Sequence, residues 1–265
     1  MNSVGKDGKT RPKSWIAFLN HAVSRVRSTQ LKRDIKELIK RNDLLTACEV
    51  IRKSVGRDEF VELVKQEFQD PGYGPAPIHD LLWKLDLRIT ITPNFDNIYD
   101  GLVATKGNGT VTIKRYFDED VADTLRRKER VFIKSHGSVA DPDKLIFTRI
   151  DYARARSDHG RFYELMDALL RTHTFIFVGC GLDDPDIRML LEDYCYKHPF
   201  SPQHYFVIPS KQYSAPIKSV LEESLRVKLL EYSHTEDHRN LGVELEKLVA
   251  LTDTQRQELG KQLSW

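Results

Sequence analysis

Three stretches of this chain put chemically capable side chains directly after apolar, β-branched runs. Arg88 to Asp100 reads RITITPNFDNIYD. Ile89, Thr90, Ile91 and Thr92 predict a strand, and Pro93-Asn94-Phe95-Asp96 must turn the chain. Asn94 and Asp96 then stand at the strand's C-terminal edge, where open α/β sheets bind ligands. Both residue types also favour plain turns. Val131-Phe132-Ile133-Lys134 predicts a second strand, running into Ser135-His136-Gly137-Ser138. Histidine exchanges a proton near neutral pH, which suits His136 to general base work. Gly137 behind it leaves room for a large ligand, although a satisfied histidine on a turn has the same local sequence. Thr174 to Val178 predicts a third strand, entering Gly179-Cys180-Gly181-Leu182-Asp183-Asp184. Two glycines ahead of a helix let a backbone approach a phosphate or ribose. They also make a tight turn, and the third glycine of a GxGxxG fingerprint is absent.

Other chemistries find less support. Asp183, Asp184 and Asp186 could suggest a metal, but they flank a helix start, where carboxylates cap. There is no GxSxG nucleophile elbow and no P-loop. Cys48, Cys180 and Cys195 lie far apart with no CxxC pair, which excludes a zinc ribbon or disulfide scaffold and fits a reducing cytoplasm. The net charge of +2 over 265 residues is too small to argue for direct nucleic-acid binding. No apolar run approaches the roughly 18 residues of a membrane span, and the polar N-terminus lacks the apolar core of a signal peptide. The basic groups Arg126-Arg127-Lys128 and Arg149, Arg154, Arg156 and Arg161 read as solvated or interface faces.

The elements that must position these residues change character along the chain. After a polar arm, Ser14 can cap a helix carrying Trp15, Phe18, Leu19, Ala22, Val23 and Val26. Further helices are predicted at about 30–41, 43–54, 57–68 and 77–85, with a breaker run from Asp70 to Pro75. Asn97 or Asp96 can cap a short helix through Tyr99, and beyond it strands alternate with helices. Strands are predicted at 110–117, 131–134, 174–178, 204–208 and 227–232, with Leu145-Ile146-Phe147 extended. Helices are predicted at about 118–127, 149–156, 162–170, 185–197, 214–224, 237–250 and 253–263. Pro185 suits the first helical position after Asp184 as cap. This alternation marks an α/β protein with a parallel sheet wrapped by helices. Parallel strands would gather Thr92, Asn94, Asp96, Ser135, His136, Gly137, Gly179, Gly181, Asp183, Ser210, Ser233 and His234 at one edge, a candidate polar cleft.

The ordered set Thr92-Pro93-Asn94-Phe95-Asp96, His136-Gly137, Asp151-Tyr152 and Gly179-Cys180-Gly181-Leu182-Asp183-Asp184-Pro185-Asp186-Ile187 resembles the sirtuin-like NAD-binding domains, in particular the bacterial branch found in anti-phage defence proteins. The resemblance covers roughly residues 10 to 235. It implies one Rossmann-like domain over 1–265, a doubly wound parallel sheet with a large helical insertion at about 16–85 and C-terminal helices at about 237–263. It implies NAD across the sheet edge as substrate, with no metal. Asn94 would orient the nicotinamide ribose and the attacking water, and His136 would act as base. Thr92, Pro93, Asp96, Gly137, Gly179, Gly181, Leu182 and Ser210 would contact the cofactor. Asp96 would sit by the carboxamide, and the glycines by the adenosine ribose.

The implied activity is NAD+ hydrolysis to nicotinamide and ADP-ribose, depleting NAD in anti-phage defence. A cytoplasmic homo-oligomer is implied, with a HerA-type ATPase partner as in some relatives. The other reading is a non-catalytic NAD- or ADP-ribose-binding subunit of an ATPase assembly. The zinc-binding cysteine pairs of protein-deacylating sirtuins are absent, which favours hydrolysis over deacylation. Pro93 stands where many relatives carry glutamine. The family opens on a strand and a Gly-Ala-Gly-x-Ser phosphate loop, and Gly5, Gly8, Pro12 and Trp15 resemble the residues just beyond that loop. An upstream start is the corresponding expectation, with weaker NAD binding by this form than by an extended one.

Overall fold

The computed structural model describes residues 3–7, 9–182, 184–234 and 238–262. Gly8, Asp183 and the expected helix start at 237 lie outside them. The described residues form two compact units, divided as 2–79 with 87–160 and 80–86 with 161–265.

Four helices open the first unit: α1 (Trp15–Val23), α2 (Thr29–Lys40), α3 (Leu44–Val55) and α4 (Arg57–Phe68). Their starts are chemically marked. Ser14, Ser28 and Asp43 each accept a backbone N–H three residues on, which satisfies a donor that the first helical turn leaves open. α1 stops at Val23, short of the predicted Val26, although Val26 stays buried. Helical spacing turns Phe18, Leu19, Ile35, Ala47, Ile51, Phe60 and Leu63 inward to a common core. Val139, Leu145 and Phe147, from far along the chain, complete that core. Leu145 to Phe147 is therefore buried, as an apolar segment should be, but it pairs with no strand.

α5 (Pro77–Lys84) carries the boundary between the units. The first unit continues with β1 (Ile89–Thr92), α6 (Ile98–Gly107), β2 (Val111–Arg115), α7 (Val121–Arg126), β3 (Arg130–Lys134) and α8 (Arg149–Asp158). The strands form a parallel sheet in the order β1-β3-β2, with Thr92 opposite Lys134. β3 is central, and Val131, Phe132, Ile133 and Lys134 are all buried, as expected for a strand covered on both faces. The helix after β1 runs ten residues to Gly107 and not merely to Tyr99.

The second unit holds α9 (Gly160–Thr172), β4 (Ile176–Phe177), α10 (Pro185–Lys197), β5 (His204–Pro209), α11 (Ala215–Leu225), β6 (Val227–Tyr232) and α12 (Arg239–Gln262). Its parallel sheet has the order β4-β5-β6. Leu191, Tyr194, Phe206, Ile208, Leu225 and Val227 form the core. The fold is thus α/β and Rossmann-like, with strands joined through helices. Among the described residues, the strands lie in two three-stranded sheets and not in one continuous sheet. The two C-terminal helices predicted at about 237–250 and 253–263 are a single α12. Thr252 does not break it, because its hydroxyl donates back to the Leu248 and Val249 carbonyls inside the helix. No helix of the described residues is long and apolar enough to cross a membrane.

Candidate active site

The exits of β1 and β3 are laced together. The Ser135 amide donates to the Thr92 carbonyl at 2.8 Å, and its hydroxyl reaches the same oxygen at 3.2 Å. The Val139 amide donates to the Phe95 carbonyl at 2.8 Å. Asn94 and His136 therefore leave neighbouring strands at the same edge. The turn between Thr92 and Ile98 has its own local bonds: Asn94 N–H to Thr92 Oγ1 at 3.1 Å, and Ile98 N–H to Asp96 Oδ1 at 2.9 Å. Asp96, not the nominal cap Asn97, supplies the side-chain acceptor at the start of α6. The Asn94 side chain is exposed, whereas His136 is 6% exposed.

Below this turn lies a group that sequence reasoning passed over as a strand end. Lys134 is 0% exposed, and its Nζ reaches Asp96 O at 2.5 Å, Asn97 Oδ1 at 3.2 Å and both Asp100 carboxylate oxygens at 3.0 Å. Burial pulls the lysine below its ordinary range, against the Asp100 charge that raises it. Burial likewise raises the Asp100 carboxyl, against the lysine. The signal was present in the sequence: a lysine closing a four-residue apolar strand, two residues before His136.

The helical block supports the same edge. Phe95 points out of the turn into the block's aromatic cluster, with ring centroids 4.8 Å from Phe147 and 5.0 Å from Phe68. Trp15 stacks on the other side of the cluster, 5.2 Å from Phe147. Arg52 of α3 reaches across to α8, donating to Asp151 Oδ2 at 2.7 Å and Thr148 Oγ1 at 2.8 Å. Thr148 and Asp151 also form a reciprocal capping box at the start of α8. The next residue, Tyr152, stands edge-on to the His136 ring with centroids 5.2 Å apart. Asp151-Tyr152 is thus a support that links the helical block to the histidine.

Gly137 has φ +82°, where side chains with a Cβ are strained. A Cβ there would also meet the Lys144 carbonyl oxygen at 2.7 Å. The space beside Gly137 is filled by the 144–145 backbone, so close packing is what demands glycine here. Pro93 is half-buried and lacks an N–H.

Gly179, Gly181, Leu182 and Ser210 belong to the second unit. Gly179 turns at φ +69° beyond β4, and both glycines are exposed. Between them, burial pushes the Cys180 thiol up to about 12, so it stays protonated and is no nucleophile at neutral pH. The Leu182 side chain is a core residue packed with Leu191 and Phe206. Asp184 caps α10, its Oδ1 accepting the Asp186 and Ile187 amides at 3.1 Å. Pro185 follows at the first helical position, as predicted. With those donors taken, the start of α10 is not an open anion site. Ser210 joins the β5 and β6 exits: its amide donates to the Tyr232 carbonyl at 2.8 Å, and its hydroxyl accepts the His234 amide at 3.1 Å. The structure therefore gathers Thr92, Pro93, Asn94, Asp96, His136 and Gly137 at one sheet edge, and sets the remaining four at the edge of a second sheet. Among the described residues, no group of three or more His, Cys, Asp or Glu is arranged to hold a metal ion.

A parallel α/β edge here carries an asparagine turn and a histidine–glycine turn, in the order that resembles the sirtuin-like domains. The SIR2-like domain family matches residues 88–232, more than half of the chain, and the chain belongs to that family. Curated relatives point the same way. An NAD(+) hydrolase ThsA of Acinetobacter baumannii (strain 532279) is 26% identical over 165 residues, 62% of this chain and 33% of the relative. An NAD(+) hydrolase ThsA of Enterococcus faecium is 24% identical over 183 residues, 68% of this chain and 36% of the relative. Defense-associated sirtuin 2 of Bacillus subtilis is 31% identical over 118 residues, 43% of this chain and 11% of the relative. The chain spans about a third of the length of the two hydrolases, and less of the third relative.

Proposed function

We propose that this chain is an NAD+ glycohydrolase, with Asn94 and His136 as its catalytic pair. The observation that carries the reading is the exposed Asn94 turn lying beside His136 on hydrogen-bonded strand exits, in a chain of the SIR2-like family. The names of the NAD(+) hydrolase relatives support the same chemistry.

In the reaction the bond from ribose C1′ to the nicotinamide nitrogen breaks, and its electron pair leaves with nicotinamide, neutralising the pyridinium. The ribose passes through an oxocarbenium-like centre, which water captures at C1′. Asn94 has an acceptor and a donor on one planar amide, so it can orient both the ribose and the water. His136 takes the proton the water loses. The demand is for positioning more than for a strong nucleophile, which suits a site whose supports are so numerous.

Thr92, Pro93, Asp96 and Gly137 shape the nicotinamide end. In the second unit, Gly179, Gly181, Leu182 and Ser210 are the residues that the family resemblance assigns to the cofactor. Asp184 caps the start of α10, which supports assigning the glycine loop to a ribose and not to the pyrophosphate. NAD depletion in anti-phage defence, a cytoplasmic homo-oligomer and an ATPase partner of the HerA type complete the reading.

Chromatography of NAD incubated with the protein tests it. Nicotinamide and ADP-ribose should appear in equal amounts. Asn94→Ala and His136→Ala should each lower turnover by at least about 10²-fold. Wild-type turnover in His136→Ala would refute the assigned base. Saturable NAD binding without product would favour the reading as a binding subunit, which the large helical block, with its room for interfaces, also suits.

A further inference from the structure

Residues 93 to 97 form no helix or strand, so the direction in which Asn94 is presented depends on contacts from outside the turn as well as on its two local bonds. Phe95 anchors one side in the helical block. The other side is held by the Val139 amide, which donates to the Phe95 carbonyl at 2.8 Å, and by one buried ammonium group. Lys134 Nζ lies 2.5 Å from the Asp96 carbonyl oxygen and 3.4 Å from that of Phe95, and also meets Asn97 Oδ1 and Asp100. Asn97 Oδ1 in turn accepts the Ser138 hydroxyl at 3.0 Å. One buried cation thus connects the turn after β1, the first turn of α6 and the loop after His136.

We propose that Lys134 is a positioning residue of this site, fixing the backbone of the Asn94 turn through the Phe95 and Asp96 carbonyls and the Asp100 carboxylate. The inference rests on the proposed reaction at Asn94 and His136. Stability alone does not account for the lysine. A buried ion pair is commonly matched or exceeded in stability by apolar side chains of similar volume. Its neighbours along β3, Val131, Phe132 and Ile133, show that the strand accepts apolar residues. What an apolar residue cannot supply is an ammonium whose three N–H donors are shared among the Asp96 carbonyl, Asn97 Oδ1 and the Asp100 carboxylate, with the Phe95 carbonyl also within reach. The ammonium holds these oxygens in place while touching neither Asn94 nor the reacting atoms.

The test uses the full chain with three variants: Lys134→Met, Asp100→Asn, and the double variant Lys134→Met/Asp100→Leu. The double variant removes both charges together, so it avoids the unpaired buried carboxylate that could unfold the single one. Three quantities are read: thermal unfolding, hydrogen exchange of the peptide spanning 92–100, and kcat against KM for NAD. In the double variant, cooperative unfolding should survive and exchange in 92–100 should quicken by at least about tenfold, with distant peptides unchanged. Its kcat should fall about 10²-fold while KM changes less than about threefold, the pattern of a misplaced reacting group. Asp100→Asn, which keeps its volume and one acceptor, should show the same changes to a smaller extent. Wild-type kcat in a folded double variant would overturn the proposal, as would unchanged exchange in 92–100. If the wild-type protein turns over no NAD, the reaction reading fails by itself. The exchange measurement then decides on Lys134: quickening confined to 92–100 supports its hold on the turn, and no quickening ends the idea.

Discussion

The turn leaving β1 and the loop leaving β4 both extend an apolar strand with polar and small residues, yet they are held in different ways. The first is fixed from several directions. Lys134 holds it from below and Phe95 anchors it in the helical core. The strand exits tie it to the histidine loop, which Tyr152 and the Arg52–Asp151 pair support in turn. Among the described residues, the second is held by its own bend and cap, and Tyr163 of α9 donates to Asp186 beside it at 2.8 Å. Gly179 makes the bend, Asp184 caps the next helix and Leu182 plugs the core beneath. The difference matches the two jobs proposed for them. A group that must meet a reacting bond needs fixed geometry, and tolerates little displacement. A loop that offers backbone to a ribose needs closeness and no Cβ more than rigidity.

The contrast can be broken at its strongest support first. Asp151→Ala removes the carboxylate that Arg52 and the α8 capping box share. It should destabilise the first unit by about 4 kcal/mol, the scale for opening a buried ion pair. Denaturant unfolding measures this, and a loss under about 1 kcal/mol would show the helical block to be loosely attached to α8.

The second unit should instead be sensitive to acid. His204 is 1% exposed, and burial pushes it down to about 4 from an ordinary 6.5. Its Nδ1 accepts the Phe175 amide at 3.2 Å, which leaves the proton of the neutral ring on Nε2. Because the folded value lies below the unfolded one, its contribution to stability is full above pH 6.5 and is lost as the pH falls toward 4. The loss should approach about 3 kcal/mol. A pH series of unfolding midpoints reads it, and His204→Gln should flatten the slope in that window.

Phe95→Ala should cost about 2 kcal/mol, less than a fully buried phenylalanine, and should lower kcat with little change in KM. Equal loss in kcat and NAD affinity would mean that the turn binds NAD as much as it positions the reacting groups. Asp184→Ala is the mildest change, at about 1 kcal/mol for a lost helix cap. It should move NAD affinity more than kcat, so a kcat effect exceeding that of Phe95→Ala would reverse the assignment of roles.

Much of this arrangement could be read from the residues in order. Ser14 and Asp184-Pro185 marked helix starts because capping is local chemistry. The β-branched runs marked the strands, and Asn94, His136 and Gly179 came after them at the right ends. What escaped notice depends on contacts between residues remote in sequence. Lys134 looked like a charge ending a strand, and only the fold places Asp100 and two carbonyls around it. Arg52 and Asp151 are 99 residues apart, so no local pattern joins them. Gly137 suggested space for a ligand, whereas the backbone of Lys144 fills that space. Leu182 belonged to a loop motif, and its side chain went to the core. The division of the strands into two sheets and the continuity of α12 likewise depend on packing.

The central claim is that NAD is cleaved where the Asn94 turn meets His136. The most direct measurement is product release from saturating NAD by the wild-type protein and by His136→Ala, with both shown to be folded. The account predicts nicotinamide and ADP-ribose in equal amounts from the wild type and a rate lower by at least about 10²-fold in the variant. Equal rates in the two proteins, or NAD left intact by the wild type, would contradict it.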